Sequence, residues 1–81
     1  MHYRNGREAK NGDIIIQLDW AGGKVVGFGE LADAVAGNDY CNGKLKEVPF
    51  ERAACLCDCL HVDDLEAILA EKGLDKRPAG M

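Results

Sequence analysis

Cys55-Leu56-Cys57-Asp58-Cys59-Leu60-His61-Val62-Asp63-Asp64-Leu65-Glu66 is the stretch whose reading decides the fold of this chain. Its first seven residues alternate. Cys55, Cys57, Cys59 and His61 fall on one face of an extended strand, and Leu56, Asp58 and Leu60 on the other, because strand side chains have a period of two. The period then changes. Asp63 is a good N-cap, and Glu66 three residues later completes a capping box. Leu65, Ile68 and Leu69 follow at helical spacing. Gly73, after Lys72, can take the left-handed conformation of a C′ residue, with Leu74 folding back on Leu69 as in a Schellman ending. The pattern predicts a strand running directly into a helix over about 64–72.

Working upstream, Asp13 to Trp20 places Ile14, Ile16, Leu18 and Trp20 on one face and Gln17 and Asp19 on the other, a half-buried strand in which only Ile15 dissents. Ala21-Gly22-Gly23 connects it to Lys24-Val25-Val26-Gly27-Phe28-Gly29, which predicts an antiparallel hairpin with glycines marking twist or a bulge. Asn5-Gly6 and Asn11-Gly12 are strong turn signals, since both residue types tolerate positive φ. Glu30 to Gly37 reads as a loop with one helical turn, too short to stand alone. A third strand is expected from about Lys44 to Val48, ending at Pro49. Four or five short strands and one late helix predict a mainly β domain: a small antiparallel barrel or curled sheet over 1–74, with 75–81 as a mobile tail. Ile14, Ile16, Leu18, Val26, Leu45, Leu65, Ile68 and Leu69 are its expected core.

Tyr3-Arg4-Asn5-Gly6-Arg7-Glu8-Ala9 with Asn11-Gly12-Asp13, then Gly23-Lys24-Val25-Val26-Gly27, resembles the opening of small SH3-like barrels. More narrowly, these segments are similar to those of a loose group of short bacterial proteins of unsettled activity, some carried on mobile elements. Cys41-Asn42-Gly43-Lys44-Leu45 and Cys59-Leu60-His61-Val62-Asp63-Asp64 carry the same resemblance, which covers about two-thirds of the chain. It implies a barrel fold and transfers no activity.

Composition narrows the function classes. The 81 residues carry a net charge of −4, against the basic stripe that a phosphate-tracking nucleic-acid binder shows. Arg4, Arg7 and Lys10 are followed closely by acids and read as a solvated face. There is neither a bilayer-length apolar run nor a basic-then-apolar leader, so a cytoplasmic protein is expected. The chain has no Ser and no Thr, which removes serine and threonine nucleophiles and the P-loop hydroxyl. Same-face cysteines two apart are seldom bridged, so the four cysteines are expected to be reduced.

Four patterns could carry chemistry. Gly27-Phe28-Gly29-Glu30-Leu31-Ala32 matches the G-x-G-x-x-A form of a dinucleotide fingerprint, but Gly37-Asn38 would stop the helix that such a site requires. Cys59 and His61, joined by Cys41 from a neighbouring strand, have the ligand types that zinc takes, although no C-x₂-C knuckle is present. The competing reading makes the cysteine row a set of small core hydrophobes, slow to react with thiol reagents, with no cofactor and no metal site. A Cys–His catalytic pair of Cys59 or Cys41 with His61 would also need an oxyanion hole and a pocket. Asp58, Asp63, Asp64 and Glu66 form an acidic group suited to a basic partner, and Trp20, Tyr40 and Phe50 could line a groove. The expected function is a non-enzymatic binding or assembly module that self-associates or meets a protein partner through an unpaired strand edge or through Leu56, Asp58 and Leu60. The alternative is a metal- or thiol-dependent protein using Cys41, Cys59 and His61.

Overall fold

The alternation expected of Asp13 to Trp20 does build a strand, but each of its two faces carries a buried isoleucine, Ile15 on one and the expected Ile16 on the other. In a computed structural model describing residues 1–19, 21, 23–46 and 51–79 (the side chains of 51 and 52 apart), β1 is Ile14–Leu18 and β2 is Val25–Ala32. They form the expected antiparallel hairpin, with a register shift between Gln17 and Leu18. Three consecutive isoleucines carry no parity of their own. Ile15, paired with Gly29 on one side and His61 on the other, is fully buried, whereas Ile14 is 39% exposed. The glycine opposite leaves room for the Ile15 side chain on the core face. Expectations that involve Trp20, Gly22, Val48, Pro49 and Phe50 lie outside the described residues.

β2 continues through Glu30-Leu31-Ala32, where a loop with a helical turn was expected, because those residues pair with Lys46, Leu45 and Lys44 of β3, Cys41–Lys46. β4, Glu51–Cys55, pairs with β3, and β5, Cys59–His61, pairs with β1. The strand order is β4-β3-β2-β1-β5, antiparallel throughout. The expected barrel or curled sheet is therefore corrected to an open five-stranded sheet with β4 and β5 as its two edges. Leu56–Asp58 forms a 3-10 turn, so the seven-residue strand expected from the stretch quoted first is broken in two. Its halves pair with different neighbours, β3 and β1.

The core is Tyr3, Ala9, Ile15, Leu31, Leu45, Ala54, Leu56 and Cys59, with Met1 and Ala34 packed against it. Leu45 was expected there, the expected Ile16 is also buried, and Leu18 and Leu65 are half-buried. Ile14, Val26, Ile68 and Leu69 were expected too, but all remain exposed. Residues 1–12, read only as turns, supply the cover. The amide of Gly6 (φ +88°) donates to Tyr3 O at 3.0 Å, and Tyr3 N–H donates to Arg7 O at 2.8 Å. Arg4 N–H reaches Cys59 O at 3.0 Å, tying this segment to the β5 edge and holding the Tyr3 ring over the sheet.

The helix α1, Val62–Glu71, begins two residues before the expected start. Its ending is as expected: Gly73 has φ +70°, Leu74 N–H donates to Leu69 O at 2.8 Å and Gly73 N–H to Ala70 O at 3.1 Å, the two bonds of a Schellman motif. None of its residues is buried. Leu69 is 42% exposed, so Leu69→Ala should cost no more than about 1 kcal/mol, not the roughly 2–5 kcal/mol of a buried leucine. Urea unfolding decides between these, and a loss in the larger range would mean that the helix is docked more deeply.

Candidate functional site

His61 sits where β5 ends and α1 begins, and it takes the N-cap position expected of Asp63. Its Nδ1 accepts the Asp63 backbone N–H at 2.9 Å. An imidazole nitrogen that accepts cannot carry the proton, so the neutral ring is protonated at Nε2. Nε2 faces Asp13 Oδ1 at 3.5 Å. The other Asp13 oxygen accepts from the Tyr3 hydroxyl at 2.6 Å and from Lys10 N–H at 3.0 Å. Burial, reinforced by the Asp13 hydrogen bond and charge, pushes the Tyr3 phenol well above its ordinary value, so it stays a donor.

Beside this chain of bonds lies a cleft of about 270 Å3 lined by Arg7, Glu8, Lys10, Asp13 and His61. Arg7, expected on a solvated face, reaches Asp64 Oδ1 at 3.0 Å and Asp63 Oδ2 at 3.4 Å. Asn5 Nδ2 donates to the second Asp64 oxygen at 2.9 Å. The Asn5 hydrogen bond, followed by Arg7, holds the Asp64 carboxyl below its usual range. The arrangement fixes the N-terminal segment to the start of α1.

The cysteines are not one row. Cys41 and Cys55 are opposite each other in the β3–β4 ladder and form a disulfide, which corrects the expectation of four reduced thiols. The spacing argument covered bridges within one strand, whereas this bridge joins two. Cys57, on the 3-10 turn, is a free exposed thiol, and Cys59 is free and buried. The Cys59 thiol donates to Cys55 O at 3.2 Å and lies 3.7 Å from Gln17 Oε1. Burial, then the nearby Asp58 and Cys57, push it up to about 12.

The proposed zinc ligands are thus divided. Cys41 spends its sulfur on Cys55, Cys59 is a protonated core thiol, and His61 caps a helix. Among the described residues no three His, Cys, Asp or Glu side chains are placed to hold a metal. The same separation dissolves the Cys–His pair read from Cys41 or Cys59. Leu56, expected at an interaction surface, is fully buried, and its N–H donates to Tyr40 O at 2.8 Å. Leu60 is half-buried opposite Ile16, and Asp58 lies 4.0 Å from Arg4. Gly27 and Gly29 are in β2, which runs on into Ala32 rather than into a helix, so they make no phosphate loop.

Two amides escaped the sequence reading. Gln17 was placed on the solvent face, yet its Oε1 accepts the Cys55 N–H at 3.1 Å across the sheet. Asn42 is buried: its Oδ1 accepts from Val35 N–H at 2.9 Å, and its Nδ2 donates to Val35 O at 2.7 Å and Asn38 O at 3.0 Å. Asn42 precedes Gly43, a turn signal that hides a buried role. A polar Gln within an isoleucine strand was the other available signal. Comparisons with protein families, with curated proteins and with solved structures give no match for this chain.

Proposed function

We propose that this chain is a non-enzymatic protein-binding module that self-associates through α1. The carrying observation is the helix itself. Leu65 is only half-buried, and Ile68 and Leu69 are each 42% exposed, so the apolar stripe is left largely uncovered by its own sheet. Charge favours a second copy as the occupant. Asp63, Asp64 and Glu66 make the start of α1 acidic, with Arg7 against the first two, and at and beyond its end Lys72, Lys76 and Arg77 outnumber Glu71 and Asp75. Two such helices laid antiparallel bring unlike charges together at both ends of the apolar contact. This stripe replaces the Leu56/Leu60 face, since Leu56 is in the core. The engaged His61 nitrogens, the protonated Cys59 and the lack of Ser and Thr support a role without catalysis.

No helix among the described residues is long and apolar enough to cross a membrane. A cytoplasmic setting belongs to the same proposal: the two free thiols, one of them exposed, favour it, whereas the Cys41–Cys55 disulfide is of the kind an oxidising compartment keeps. Sedimentation over a wide concentration range should show a monomer–dimer equilibrium, and Ile68→Asp with Leu69→Asp should abolish it while leaving the far-UV spectrum intact. A constant monomer mass for the unmodified chain would refute self-association.

A further inference from the structure

The Cys41–Cys55 disulfide lies at the outer margin of the sheet. β4 is an edge strand, Cys41 is exposed and Cys55 half-buried. The ladder is also interrupted just inside it. Cys41 pairs with Cys55, but the next pair is Lys44 with Ala53, so Asn42 and Gly43 together oppose Ala54. This bulge separates the disulfide-bearing pair from the regular pairing of Leu45 with Arg52 and Lys46 with Glu51.

Bonds that do not pass through the disulfide hold every segment around it. The side chain of Asn42 fixes residues 35–38, Gln17 Oε1 holds the Cys55 N–H, Tyr40 O holds the Leu56 N–H, and Leu56 itself is locked in the core. Opening the S–S bond would therefore leave the scaffold standing. A second feature concerns the free thiols. Cys59 is kept protonated in the core and is a poor nucleophile, whereas Cys57, two residues beyond Cys55, is exposed. Cys57 also lines a cleft of about 400 Å3 with His2, Tyr3, Arg4, Gly6 and Asp39. Cys57 and Asp39 each lie two residues along the chain from a half of the disulfide, although neither Cys41 nor Cys55 lines the cleft itself.

We propose that Cys41–Cys55 and Cys57 form a thiol–disulfide exchange site for low-molecular-weight thiols of the glutathione class. A thiolate RS⁻ attacks the Cys41 sulfur, forming Cys41–S–S–R and releasing Cys55 as thiolate. A second RS⁻ attacks the sulfur of R, forming RSSR and releasing Cys41 as thiolate. The protein disulfide gains two electrons, and two thiols lose them. In the reverse direction RSSR re-oxidises the pair, and Cys57 takes up an R–S group from RSSR, releasing RS⁻. An exposed disulfide exchanges in this way where a buried structural one resists.

The full-length chain is equilibrated in glutathione buffers of graded ratio, quenched with acid, alkylated and mapped by mass, with far-UV spectra recorded in parallel. The Cys41–Cys55 link should be lost as the reduced fraction rises and regained as it falls, with the folded spectrum retained throughout. A glutathione adduct should map to Cys57 under oxidising ratios and be lost in Cys57→Ala, while Cys59 stays unmodified. The proposal is overturned if the link survives fully reducing glutathione, if it never forms under oxidising glutathione, or if its loss unfolds the chain. An adduct on Cys59 in place of Cys57 would equally overturn the role given to Cys57.

Discussion

Gly43→Ala should remove about 2–5 kcal/mol of stability. Two separate costs meet at this position. The backbone has φ +77°, where an L-residue with a Cβ is disfavoured by about 1–2 kcal/mol. The Cβ would also stand 2.6 Å from Ala32 O and 2.9 Å from both Ala34 N and Ala34 Cα. All three are backbone atoms of the β2 end and the residues after it, so no side chain can swing aside. Overpacking of that kind costs about 1–3 kcal/mol or more. A domain of this size has roughly 4–12 kcal/mol in total, so the variant would approach the unfolding threshold.

Gly6 provides the control. It has φ +88°, but a Cβ there meets nothing within 4 Å, so Gly6→Ala should show only the conformational cost of about 1–2 kcal/mol. Gly43→Asn separates the terms in another way, because asparagine tolerates the left-handed region yet still carries a Cβ. Chemical denaturation of the three variants decides the matter. Equal losses for Gly43→Ala and Gly6→Ala would remove the close-packing argument and leave φ alone.

The contrast between these glycines also explains what the sequence could reveal. Asn5-Gly6 and Asn42-Gly43 look alike as dipeptides, and both do carry a positive φ at the glycine. Nothing in the dipeptide says that one turn is open to solvent while the other lies in a bulge against a neighbouring backbone. The β1–β2 hairpin was legible because alternation and glycine placement are local. The Schellman ending of α1 was legible for the same reason. The full burial of Ile15 alongside the expected Ile16 depended on Gly29 lying across from Ile15 and on Tyr3 arriving from the N-terminal segment, both matters of register and tertiary cover.

The quoted stretch failed in a related way. Cys55 through His61 alternates well enough for a strand, but Leu56 is pulled into the core and the chain turns at Leu56–Asp58. That turn sends Cys55 to β3 and Cys59 to β1, so alternation alone would have grouped sulfurs that the sheet keeps apart. The cap at the helix start shows two local signals competing. Asp63 with Glu66 satisfies the capping box on paper, while His61 supplies the cap in fact, helped by Asp13 against its far nitrogen. Asp63 and Asp64 are left to bind Arg7, a partner 56 or 57 residues away in the chain.

Stability should fall by up to about 4 kcal/mol between pH 9 and pH 12, and Cys59 should be the first cause. In the unfolded chain its thiol ionises near the ordinary value of 9.0, whereas in the folded core burial pushes it up to about 12, with Asp58 and Cys57 adding to the effect. Between those values the folded state holds a proton that the unfolded state has released. Stability therefore declines with rising pH there, at most about 1.4 kcal/mol per pH unit, and is unaffected by this group below pH 9. Tyr3 acts in the same direction from its own ordinary value of 10.0 upward, since burial and then Asp13 raise its phenol. The two contributions can be told apart. In a Cys57→Ala background, which removes the exposed thiol, urea unfolding is followed across the alkaline range with and without Cys59→Ala. The decline should begin near pH 9 when Cys59 is present and above pH 10 when it is alanine, leaving the Tyr3 share. Ultraviolet absorbance of the thiolate gives a direct check, since Cys59 should ionise only as the chain unfolds. Identical alkaline profiles for the two proteins would show that the core does not hold this thiol in its protonated form.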